Sequence, residues 1–291
     1  ALAAHFSVPQ RVPNDQPFDV KAVARYYAGG SVAKQPIEWT VTRRPYHHLP
    51  KGLPGYLFAS SLQFSREGRI RPPQTRNESR HLSAKGADQL KIQPQLDMDG
   101  SARVYRVEAT VTGVDNQLVA ARHETRALPP FVLGMKLERF FDKPGMLKPE
   151  VLAVGVDDKP VAGQKVSVRL YRRVWHSHLR ETDFASGEAS YVTEQEDVKI
   201  REVEITTGKK AVSPTQELSK SGVYLVELVA RDRLGRVQTL SADLFVGGKD
   251  AVAWSKPRQG VFQLSTDRKK YEPGQTAKLL LKSPFQQGHG L

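Results

Sequence analysis

One phrase is written twice in this chain, and it constrains the fold more than any other feature. Val32-Ala-Lys-Gln-Pro-Ile-Glu-Trp-Thr-Val-Thr-Arg-Arg44 matches Val161-Ala-Gly-Gln-Lys-Val-Ser-Val-Arg-Leu-Tyr-Arg-Arg173 at an offset of 129 residues. Val104-Tyr-Arg-Val-Glu108 matches Val223-Tyr-Leu-Val-Glu227 at 119, and Lys143-Pro-Gly145 matches Glu272-Pro-Gly274 at 129. The chain therefore reads as one domain type written twice, with a third copy begun. A tandem array of like modules presents surfaces and spacing, not one catalytic pocket.

Within each copy the pattern is strand-like. Val166, Val168 and Leu170 alternate with polar residues, as do Tyr105, Val107, Ala109 and Val111. Gly113-Val-Asp-Asn116, Asp157-Asp-Lys-Pro160 and Asp232-Arg-Leu-Gly235 supply turns between such runs, and no long run has a helical period with caps. This spacing predicts an all-β fold of tandem antiparallel β-sandwiches, immunoglobulin-like or fibronectin-III-like. The expected domains are 1–128, 129–248, and a linker with the start of a third over 249–291. First strands are expected at 18–25, 150–156 and 276–282, with Leu244-Phe-Val closing the second copy as a short strand. Pro144-Gly145 and Pro273-Gly274 predict type II turns, with Pro13-Asn14 doing the same work in the first copy. Segments 45–94 and 175–193 read as loops with a single strand each. Trp39, Tyr171 and Tyr224 are expected in the core, Trp39 in the slot that Val168 fills in the second copy.

Composition narrows the chemistry. The 291 residues contain no cysteine, which removes thiol chemistry from this stretch. No run approaches the ~18 apolar residues of a membrane-spanning helix. The start, Ala1-Leu-Ala-Ala-His5, has no signal-peptide pattern, and the lack of an initial Met suggests a piece of a longer protein. The net charge of +13 is uneven: 18 Lys and Arg against 11 Asp and Glu over 1–130, 18 against 17 over 131–248, and 8 against 3 over 249–291. A nucleic-acid surface would gather basic and aromatic residues on one face, so no nucleic-acid partner is expected.

Catalytic signatures are missing. There is no nucleophile elbow, phosphate loop or dinucleotide fingerprint, no cofactor is implied, and Asp157-Asp158 reads as turn chemistry. His47 and His48 would point to opposite strand faces. His176 and His178 would share a face and form a weak metal candidate without a third ligand. Arg66, Arg69, Arg71, Arg76 and Arg80, in the basic stretch 64–85, form the best candidate partner-contact loop. An alternative reading of the whole chain is a partner-docking or adhesion array of immunoglobulin-like sandwiches that uses this loop.

The third start, Phe262-Gln-Leu-Ser-Thr-Asp-Arg-Lys-Lys-Tyr-Glu-Pro-Gly-Gln-Thr-Ala-Lys-Leu-Leu-Leu-Lys-Ser-Pro-Phe285, is the most specific stretch. It resembles the opening of a macroglobulin domain in bacterial α2-macroglobulins. Gly222-Val-Tyr-Leu-Val-Glu-Leu-Val-Ala-Arg-Asp-Arg-Leu-Gly-Arg236 and Leu244-Phe-Val-Gly-Gly248 resemble the domain before it. The resemblance implies seven-stranded sandwiches stacked in a protease trap, with neighbouring macroglobulin domains and target proteases as partners. It also implies a periplasmic location, with a periplasmic protein partner and an inner-membrane anchor elsewhere in the parent. The family's Cys-x-Glu-Gln thioester has no counterpart among these residues, so the chain is expected to act as scaffold and not as an enzyme.

Overall fold

In a computed structural model the described residues are 2–59, 73–96, 100–181, 189–248, 263–266, 271–277 and 279–282. They form β1 (Leu2–Ser7), β2 (Arg11–Pro13), β3 (Phe18–Tyr26), β4 (Pro36–Pro45), β5 (Leu57–Phe58), β6 (Gln74–His81) and β7 (Ala87–Ile92). Next come β8 (Arg103–Thr112), β9 (Leu118–Leu128), β10 (Val132–Lys136), β11 (Phe140–Phe141), β12 (Gly145–Leu147), β13 (Glu150–Val154) and β14 (Lys165–Glu181). The last are β15 (Ala189–Thr206), β16 (Gln216–Leu218), β17 (Gly222–Arg231), β18 (Val237–Val246), β19 (Gln263–Thr266) and β20 (Leu279–Lys282). Among these residues no helix is long and apolar enough to cross a membrane.

The written repeat is a repeat of topology. One five-stranded sheet runs β2-β9-β8-β4-β6 and another runs β11-β18-β17-β14-β15. In both, the short outer strand pairs parallel with its neighbour, β2 with β9 and β11 with β18, while the other pairs are antiparallel. The matched words fall on matched strands, β4 with β14 and β8 with β17. Their buried residues correspond: Ile37 and Trp39 with Val166 and Val168, and Tyr105 and Val107 with Tyr224 and Val226. Each large sheet faces a smaller one, β1-β3-β7 in the first case and β13-β10-β5 in the second. Two separate apolar cores lie between them. This is the two-layer antiparallel sandwich that period-2 alternation dictates. In the first core Trp39 is fully buried, and its indole N–H donates to Asp88 on the opposite sheet at 2.8 Å.

Several expectations need correction. Segment 175–193 is strand and not loop over its described residues, since β14 reaches Glu181 and β15 starts at Ala189, paired antiparallel. Segment 45–94 contains β5, β6 and β7. The closing strand of the second copy, β18, runs ten residues, not three. Tyr171 is half-buried on the open face of its sheet, where its hydroxyl donates to Glu227 at 3.4 Å, so it is not a core residue. Positive φ occurs at Gly274 (89°) but at neither Gly145 nor Asn14, so only one of the three predicted type II turns has the required geometry. Gly145 opens β12 as extended chain. The hairpin turns do hold, with positive φ at Asn116, Asp158 and Gly235.

Candidate functional site: the junction between the two sandwiches

Among the described residues, buried polar contacts join the first sandwich to the second. The end of the first is built from residues after β2 and β4, before β8, and at the end of β9. The facing end of the second is built from the turns after β13 and β17. Three sets of contacts hold the ends together.

The first set centres on Arg236, which is 7% exposed. Its Nε donates to Asp232 Oδ2 at 2.7 Å, and its Nη2 donates to Asn14 Oδ1 at 2.8 Å. Asn14 is 2% exposed and uses its amide fully. Its Nδ2 donates to the carbonyls of Gly100 (2.9 Å) and Ser101 (3.1 Å). A buried guanidinium is tolerable only when paired and hydrogen-bonded, and Asp232 with Asn14 meets that need. Alongside, Arg233 binds both the carboxylate and the carbonyl of Asp15. Asp232 also accepts from the backbone N–H of Leu234 (2.9 Å) and Arg236 (3.0 Å), so one side chain shapes the turn and presents the arginine.

The second set centres on Asp158. Arg11 Nη1 donates to Asp158 Oδ2 at 2.8 Å and to the Val156 carbonyl at 3.0 Å. His48, 4% exposed, places Nε2 3.4 Å from Asp158 Oδ1. Burial lowers the His48 pKa. The Asp158 carboxylate opposes that shift, while Arg11, Arg126 and His47 reinforce it.

The third set is a strap. Residues 53–59 come after β4 in the first half of the chain but pack into the second core. There Phe58 and Ala59 are 3% and 2% exposed, with Leu53 and Tyr56 against them. β5 adds antiparallel to the edge of β10, Phe58 opposite Gly134 and Leu57 opposite Met135. The approach is close: a Cβ on Gly134 would sit 2.9 Å from both Phe58 Cε1 and Leu152 Cδ1, so one of those side chains would have to shift. The Tyr56 hydroxyl donates to Glu150 at 2.6 Å, and Lys136 donates to the other carboxylate oxygen at 3.3 Å. Burial, then this bond, push the Tyr56 pKa up to about 12, while the same bond and Lys136 lower that of Glu150.

The residues singled out by sequence stand elsewhere. Arg66, Arg69 and Arg71 lie outside the described residues. Arg76 and Arg80 are on strand β6 and not in a loop, and both pair with Glu78. Arg80 also donates to the Gln89 carbonyl at 2.8 Å, joining β6 to the opposite sheet. Together the two arginines lower the Glu78 pKa, with the Arg80 bond the largest cause. His176 and His178 occupy alternate positions of β14, opposite Glu194 and Val192 in register, and their side chains lie outside the described structure. Asp157 and Asp158 do make the turn expected of them, and Asp158 in addition ties the two sandwiches. The junction roles of Asn14, Arg11 and Arg236 were not read from sequence, where Asn14 stood only as a turn residue and Arg236 only as the end of a matched stretch. The strap left one trace, the apolar island Leu53-Pro-Gly-Tyr-Leu-Phe-Ala59 inside a polar stretch.

Comparison with protein-family models finds no match. Among curated proteins the chain is 23% identical over 268 residues to an alpha-2-macroglobulin homolog of Nostoc sp. The alignment covers 92% of this chain and 14% of the relative, so the chain spans about one-seventh of that protein's length. Among solved structures it aligns with native Escherichia coli alpha-2-macroglobulin (TM-score 0.43, 16% identity, 97% of this chain and 18% of that one). It also aligns with the trypsin-activated form from Escherichia coli (TM-score 0.45, 16% identity, 96% and 19%). Likenesses at that level carry no argument by themselves. Taken with the alignment to the Nostoc protein, the words around β17, β18 and β19 identify the alpha-2-macroglobulins as the family this chain resembles along nearly its whole length.

Proposed function

We propose that this chain is scaffold from a bacterial α2-macroglobulin-type protease trap, without catalysis of its own. Its units are macroglobulin-type sandwiches over 1–128 and 129–248, with 249–291 leading into a third. The observation that carries the reading is the junction. Two like sandwiches are joined end to end by a buried Arg236–Asn14–Asp232 contact and by a strap in which one half completes a sheet of the other. Such a joint passes force and orientation from one module to the next, as a shell that changes shape around a protease requires. The likeness to the Nostoc protein supports the family. The partners in this reading are the neighbouring domains and, for the parent, target proteases in the periplasm.

The test compares this chain with its parent. The 291-residue chain should leave trypsin and elastase fully active on a protein substrate, while the parent should suppress that activity. Inhibition by the short chain alone would overturn the scaffold assignment.

A further inference from the structure

The strap closes only part of the β10 edge. β5 is two residues long, with Leu57 opposite Met135 and Phe58 opposite Gly134. The pairing is antiparallel, so from Leu57 onward the strap runs back along β10, away from Lys136. Just before Leu57 the chain turns off the edge, with Gly55 at φ 80° in the left-handed region. β10 continues to Lys136, which pairs with Glu150 of β13, and Leu137 and Glu138 follow outside any strand. On the β5 side the edge is therefore open from Lys136 onward among the described residues. An open edge offers backbone donors and acceptors to an added strand.

A cleft of about 670 Å³ lies at this spot. That volume falls within the roughly 300–1,000 Å³ usual for ligand sites. Leu57, Met135, Leu137 and Phe140 supply its apolar lining. Met135 is fully buried, whereas Leu57 remains 41% exposed although its neighbour Phe58 is sunk in the second core.

The charged lining decides what the cleft would take. Lys136 is committed, since its Nζ donates to Glu150 at 3.3 Å and stands 5.9 Å from the centre of the Tyr56 ring. Arg139 gives its Nε to the Asp243 carbonyl at 2.9 Å, a neutral acceptor that leaves its charge uncompensated. Lys148 is exposed and has no ion pair or hydrogen bond among the described residues, and the same holds for Glu138. With Lys136 and Glu150 offsetting each other, two cations face one carboxylate, and the cleft keeps a positive excess.

We propose that this cleft docks an extended acidic peptide segment of a partner protein. The segment adds a strand beside Lys136, continuing the row that β5 begins. It sets an apolar side chain against Leu57 and Phe140 and places a carboxylate between Arg139 and Lys148. Continuity with the strap pairing and the charge of the lining select this occupant. A second copy of this chain, at a net +13, is the poorer match. The proposal stands apart from the protease-trap reading, because it concerns an edge that the chain leaves open whatever the parent does.

The test uses the full 291-residue chain and three acetylated, amidated hexapeptides, of glutamate, lysine or threonine alternating with valine. In nitrogen–proton correlation spectra at low salt, the glutamate–valine peptide should shift the amides of Lys136, Leu137 and Glu138. It should bind at least tenfold more tightly than the other two, and salt should weaken it. Lys148→Glu should cut its affinity at least tenfold and improve that of the lysine–valine peptide. Leu57→Ser should weaken both the glutamate–valine and the threonine–valine peptide. Unshifted core amides of Val151, Val166 and Val226 show that each variant folds. Equal affinity for the three peptides, no binding at millimolar concentration, or an unchanged affinity in Lys148→Glu would overturn the dock. Shifts confined to the edges β6 or β15 would also overturn it. So would shifts at Lys136–Glu138 on diluting the chain alone, which would give the cleft to a second copy.

Discussion

Asn14 shows how much one side chain carries at the junction. It satisfies two carbonyls and a guanidinium at once, all shielded from water. Asn14→Ala removes the amide that donates to the Gly100 and Ser101 carbonyls and the oxygen that accepts from Arg236 Nη2. The expected loss is about 2–4 kcal/mol in urea unfolding, because buried unmatched groups cost more than an average hydrogen bond returns. Asn14→Asp should not rescue it, since a carboxylate would face both carbonyls even though it could still pair with Arg236. His48 makes the junction sensitive to pH. Its folded pKa is lowered, so the unfolded chain binds the proton more readily, beginning near pH 6.5. The His48 contribution is therefore complete above that pH and is lost as pH falls through the folded value. Unfolding midpoints measured from pH 8 to pH 5 should decline less steeply for His48→Gln than for the unsubstituted chain. Parallel curves would remove His48 from the account. Neither role was legible beforehand: His48 reads as one of an adjacent histidine pair, not as the partner of Asp158. Asn14 reads as a turn residue because asparagine tolerates positive φ, yet this one was placed for its amide.

At the scale of elements, long strands with an alternating apolar face were readable and short or fully polar ones were not. β17 announces itself with alternate residues Tyr224, Val226 and Leu228 in the core. β6 is Gln-Thr-Arg-Asn-Glu-Ser-Arg-His, without an apolar residue, and is held by pairing with β4 along its whole length. The strap was passed over inside the loop read for 45–94, because its partner Gly134 lies more than seventy residues onward. That pairing gives a sharp prediction. Phe58→Ala should destabilise the second sandwich by about 3 kcal/mol, from lost burial and the cavity left behind. Gly134→Ala should cost about 1–3 kcal/mol through the clash of the new Cβ with Phe58 and Leu152. The double variant should cost less than the sum, because removing the ring removes one of the two clashes. Additive costs in a double-mutant cycle would mean that Phe58 and Gly134 do not meet across this pair of strands.

At the scale of the whole molecule, duplication and divergence divide the work. The duplicated part is the sheet order with its parallel outer strand, which builds two independent cores. The diverged part is the chain leaving β4 and continuing β14 at the exit end, a strap in one copy and a longer pairing with β15 in the other. Two sandwiches with separate cores would ordinarily unfold independently, each by its own cooperative transition. The junction changes that expectation, since unfolding the first sandwich would withdraw Phe58 from the second core and strip Arg236 of Asn14. We therefore expect native-state hydrogen exchange to show amides of Val107 in the first core and Val226 in the second opening with the same free energy. In an Asn14→Ala/Phe58→Ala chain the two should separate, with the second core less stable than before and no longer dependent on the first. If Val107 and Val226 already differ in the unsubstituted chain, the junction is a contact and not a coupling. The scaffold would then bend between its modules where the proposed function needs it to transmit.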